Sequence, residues 1–116
     1  ETVHVENYVL TNSKEMRPSA TIRINIKGEI YEEHAQGDGQ YDAFMNVLKK
    51  IYKQKSLELP VLIDYVVHIP PGGKSDALCE SIITWRSADK EFKTHGLDSD
   101  QTVSAIIATQ KMLNII

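Results

Sequence analysis

Two hydrophobic periods alternate along this chain, and the alternation happens twice. Ala20, Ile22, Ile24 and Ile26 are separated by Thr21, Arg23 and Asn25, the period-two pattern of a strand with one face covered. Lys27-Gly28 then suits a two-residue hairpin turn, and 29–36 returns as a more polar strand. Phe44, Val47, Leu48 and Ile51 follow at helical spacing within 40–54. The second half repeats the order. Ala77, Cys79, Ser81, Ile83 and Trp85 alternate, 86–89 turns, and 90–97 returns. Val103, Ile106, Ile107 and Leu113, with Ala108 and Met112 nearby, then give a helical face. The pattern predicts an α+β fold of two βββα units. Strands are expected at 2–12, 18–27, 29–36, 61–69, 76–87 and 90–97, and helices at 40–54 and 100–115, each packed on an antiparallel sheet.

Laid over itself with a shift of 59 residues, the chain sets Gly37 on Gly96, Gly39 on Asp98 and Asp42 on Gln101. Ala20, Ile22, Ile24 and Ile26 fall on Cys79, Ser81, Ile83 and Trp85, Phe44 falls on Val103, and Tyr8 falls on Val67. In that register Gly96 opens the second helix, and Asp98 with Gln101 has capping-box spacing. Identity between the halves is low; the agreement is one of pattern. One domain with repeats at about 1–58 and 59–116 is expected, its half-covered sheets packing together.

The 116 residues are enough for one real core and too few for two domains. With 41% hydrophobic and 25% charged residues the composition is that of an ordinary globular protein. A net charge of −3 argues against a nucleic-acid partner. The nearest thing to a basic block, Lys49, Lys50, Lys53 and Lys55, sits where cations complement the end of a helix dipole. No apolar run approaches the ~18 residues that span a membrane. A single cysteine, Cys79, forms no intrachain disulfide, and a reducing, cytoplasmic location is expected. The chain opens on Glu1 rather than Met, which suggests excision from a longer protein.

Little in the sequence looks catalytic. Gly72-Gly73-Lys74-Ser75 imitates the end of a phosphate-binding loop, but His68 stands where the pattern needs its first glycine, and a strand rather than a helix follows. His4, His34, His68 and His95 have no metal-ligand spacing. No nucleophile elbow occurs, and Cys79 lies on a strand face that looks buried, where a thiol is inert. Gly37-Asp38-Gly39-Gln40-Tyr41-Asp42-Ala43 is the most informative stretch. Gly39 is a permissible N-cap and Asp42 suits the first turn of a helix. Backbone N–H groups at such a turn form a seat for a carboxylate or phosphate; as plain structure, it is a strand-to-helix connection. In the strand at 61–69, alternation places Tyr65 with Ile63, Val67 and Ile69, and Asp64 with Leu62, Val66 and His68.

Gly-x-Gly-x-x-Asp-Ala opening a helix (37–43), Asp64-Tyr65 in a strand, and Gly-x-x-x-Asp (96–100) before a helix ending in Leu113-Asn114 occur here in order. Over nearly its whole length the chain resembles the C-terminal regulatory domain of the 2-isopropylmalate synthase and citramalate synthase family. The resemblance implies a dimeric feedback sensor for a branched-chain amino acid, leucine or isoleucine. It also implies a separate (β/α)8 barrel that condenses acetyl-CoA with a 2-oxo acid and holds the divalent metal, so no cofactor and no catalytic residue are expected in this chain. Gln40-Tyr41 stand where isopropylmalate synthases commonly carry Pro-Val, and a Tyr-Asp pair is more like some citramalate synthases, so both effectors stay open. The implied effector residues are Gly37, Gly39, Tyr41, Asp42, Leu62, Tyr65, Ile69, Ser75 and Cys79. Backbone N–H groups at the glycine turn would take the carboxylate, Asp42 the ammonium, and Leu62, Ile69 and the Tyr65 ring the side chain. These residues lie on both alternating faces of one strand, which calls for a bulge or a dimer contribution. A dimerisation module without a ligand is the alternative.

Overall fold

The computed structural model describes residues 2–69 and 78–116; Glu1 and residues 70–77, with the Gly72-Gly73-Lys74-Ser75 loop, lie outside the described residues. The element order is β1 (Val3–Thr11), β2 (Ser19–Ile26), β3 (Glu29–Gln36), α1 (Gln40–Gln54), β4 (Val61–His68), β5 (Cys79–Ser87), β6 (Lys90–Asp98) and α2 (Gln101–Ile115). Two antiparallel three-stranded sheets form, ordered β1-β2-β3 and β4-β5-β6. The α+β, βββα–βββα order follows the two hydrophobic periods. The chain divides into two compact units, Glu1–Leu59 and Pro60–Ile116.

In the first unit α1 lies on β2 and β3 and touches β1. Ala20, Ile22, Ile24 and Ile26 are buried under Phe44, Val47, Leu48 and Ile51, all of which are buried in turn. Lys27 and Gly28 both take positive φ (52° and 91°), the geometry of the tight hairpin turn that matches strand twist. At the other end of α1, Gln54 Nε2 donates to Glu33 at 3.0 Å and Lys50 Nζ pairs with it at 3.3 Å. Together they hold the Glu33 carboxyl below the usual carboxylate range. That link between α1 and β3 is therefore present above the ordinary carboxylate value and is lost as pH falls through the lowered one.

In the second unit α2 lies on β5 and β6, and the buried residues on the helix are Ser104, Ala105, Ile106, Ala108, Thr109, Met112 and Leu113. The expected face is therefore shifted: Val103 and Ile107 are only half-buried, and small side chains meet the sheet. Gly96 explains the close approach. It is not a helix-opening residue but sits inside β6, paired with Ser81. A β-carbon built on it would lie 2.8 Å from Ala108 N and closer still to Ser104 O. Ser81 and Ser104 share a buried hydroxyl bond of 2.5 Å at the same spot.

The N-cap of α2 is likewise displaced. Asp100, not Asp98, caps the helix, accepting from Val103 N at 3.0 Å, while Asp98 accepts from Asp100 N at 2.8 Å. Asp100→Ala is expected to lower stability by about 1 kcal/mol, read as a lower urea midpoint with unchanged slope.

These corrections share one cause. An offset of 61 residues takes N-cap Gly39 to N-cap Asp100, both ends of α1 to both ends of α2, and the hairpin turn at Lys27 to the one at Ala88. The small cluster Ala20, Ala35 and Ala43 then becomes Ser81, Gly96 and Ser104. The opening strands follow a different offset, 57. Each has a register shift, between Val5 and Asn7 in β1 and between Leu62 and Asp64 in β4, and a tyrosine just beyond it, Tyr8 or Tyr65. The longer β4–β5 connection absorbs the difference, and the uniform shift of 59 averaged two true ones.

Candidate functional site

The candidate residues fall in two groups, one in each unit. In the first unit Gly37 leaves β3 with its N–H bonded to Pro18 O at 3.0 Å. A β-carbon there would lie 2.7 Å from Ala43 Cα and closer still to its N, so the first turn of α1 presses on this position. Gly39 is the N-cap and offers no side-chain bond. Its φ of −144° is extended backbone, and nothing lies within 4 Å of where its β-carbon would be. Neither conformation nor packing thus asks for glycine at 39, unlike 37. Asp42 stands in the first turn and is exposed, with Oδ2 accepting from Asp38 N at 2.8 Å. It therefore already serves as part of the helix cap. Tyr41 stacks on Phe44 with ring centroids 6.4 Å apart, and Tyr8 meets the same ring edge-on at 6.0 Å.

Arg17 was not expected here. Its guanidinium lies 3.1 Å from Asp38 Oδ1, placing a cation beside the turn. Residues 21 apart in sequence give no local signal for such a pair; it follows from the bond that ties Pro18 to Gly37.

In the second unit the faces of β4 differ from simple alternation. Leu62 pairs with Trp85, Tyr65 with Ile83 and Val67 with Ser81, leaving Ile63 as an extra residue. Directly paired residues share a face, so Leu62, Tyr65 and Val67 stand together on the helix side, and Asp64, Val66 and His68 on the other. The bulge resolves the conflict that alternation created for Leu62 and Tyr65. Helix α2 packs on β5 and β6, and this part of β4 stays partly open: Leu62 is 37% exposed, Tyr65 and Val67 half-buried. Ala105 occupies the position that Phe44 holds in the first unit, so a methyl group replaces the ring against which Tyr8 packs. Ile69 follows the strand and is exposed. Cys79 opens β5 half-buried rather than buried, and Ser75 lies outside the described residues.

Among the described residues no group of three or more His, Cys, Asp or Glu is placed to hold a metal ion, and no helix is long and apolar enough to cross a membrane. The family model described as the LeuA allosteric (dimerisation) domain matches residues 1–116. The chain belongs to this family. Its similarity to whole proteins points the same way. It is 29% identical to a 2-isopropylmalate synthase of Aquifex aeolicus over 115 residues, covering 98% of this chain and 21% of that protein. A 2-isopropylmalate synthase of Methylorubrum populi is 30% identical over 95 residues, 82% of this chain and 17% of that one. The putative (R)-citramalate synthase CimA of Methanosarcina mazei is 24% identical over 112 residues, 97% and 23% respectively. The LeuA-type chain thus spans less than a quarter of the length of these curated relatives. Its role is that of an allosteric, dimerising domain.

Proposed function

We propose that this domain is the feedback sensor of an acetyl-CoA-dependent 2-isopropylmalate or citramalate synthase, cytoplasmic and homodimeric, taking leucine or isoleucine at a dimer interface. The catalytic barrel and its divalent metal belong to the rest of the polypeptide. The observation that carries the reading is the bulge at Ile63, which gathers Leu62, Tyr65 and Val67 onto one partly open face. That surface suits a branched aliphatic side chain. Taken by itself, the α1 turn of the first unit offers a helix N-terminus and the Arg17 guanidinium to a carboxylate and Asp42 to an ammonium. Leucine and isoleucine differ in the placement of one methyl group, worth only about 1–3 kcal/mol in such a cup.

Each element is tested by itself. In a thermal-shift screen against the twenty amino acids, one at 100 times its dissociation constant adds ~2.7 kcal/mol. A branched-chain amino acid is expected to raise the melting temperature of the wild type. Gly39→Ser is expected to leave stability within about 0.5 kcal/mol, since the site has room and serine caps well, yet to lose that shift by crowding the turn. Asp42→Ala is expected to cost about 0.5–1 kcal/mol through its bond to Asp38 N and to abolish the response. Unchanged calorimetric affinity in either variant removes that residue from the site. If no amino acid shifts the wild type, the domain is a dimerisation module without a ligand.

A further inference from the structure

We draw no further inference here: the strongest candidate, the side-chain cluster on the outer face of β4-β5-β6 in which the Glu80 carboxylate stands 3.3 Å from His95 Nδ1 and 3.8 Å from His68 Nδ1, carries nothing, because its members are partly exposed, no such group among the described residues is placed to hold a metal ion, and nothing in the structure shows what meets it.

Discussion

Gly96→Ala is expected to lower stability by about 3–4 kcal/mol. The added carbon would meet Ala108 N at 2.8 Å and Ser104 O closer still. Both are backbone atoms of α2, so no rotamer change relieves the clash; the helix must lift from β6. Lifting it also opens the Ser81–Ser104 hydroxyl bond, which is buried. A loss of this size moves the melting temperature down by on the order of 15 °C in a chain of this length. Gly39→Ser, with open space around it, is the control. If Gly96→Ala melts with the wild type, α2 does not pack as closely as described.

Trp85→Ala is expected to cost about 3–5 kcal/mol. Trp85 is fully buried on β5, the largest of the buried side chains, and its Nε1 donates to Thr94 Oγ1 at 2.9 Å across the β5–β6 pair. Trp85→Phe separates packing from polarity. It keeps most of the apolar volume but leaves the buried Thr94 hydroxyl without that donor, a penalty of about 1–3 kcal/mol. The double change Trp85→Phe with Thr94→Val is expected to recover part of this loss, because both polar groups then disappear together. Urea denaturation of the three variants reads the difference. Equal midpoints for the single and double variants would show that the bond contributes nothing.

The elements were legible because their signals are local. Ile22, Ile24 and Ile26 mark a half-covered strand whatever surrounds them, and Phe44, Val47, Leu48 and Ile51 mark the core side of a helix. The second helix was harder. Val103 and Ile107 are apolar and at helical spacing, yet the close approach permitted by Gly96 turns Ser104, Ala105 and Ala108 toward the sheet instead. Residue hydrophobicity cannot report a distance between elements. Gly37-x-Gly39 was visible as a motif, but its two glycines differ in kind: 37 is fixed by the approach of Ala43, and 39 is not fixed by anything near it.

By itself the sequence determined the α+β class, the doubled strand–strand–strand–helix order and the turn that starts α1, because hydrophobic period and turn chemistry act over a few neighbouring residues. Only the tertiary structure decided that the repeat runs at offsets of 57 and 61, that Leu62 and Tyr65 share a face, and that Arg17 stands beside Asp38. A bulge shifts strand pairing by one residue, and a longer connection shifts every later correspondence. Both are set by which atoms meet across the fold, a quantity that no pattern along one strand contains.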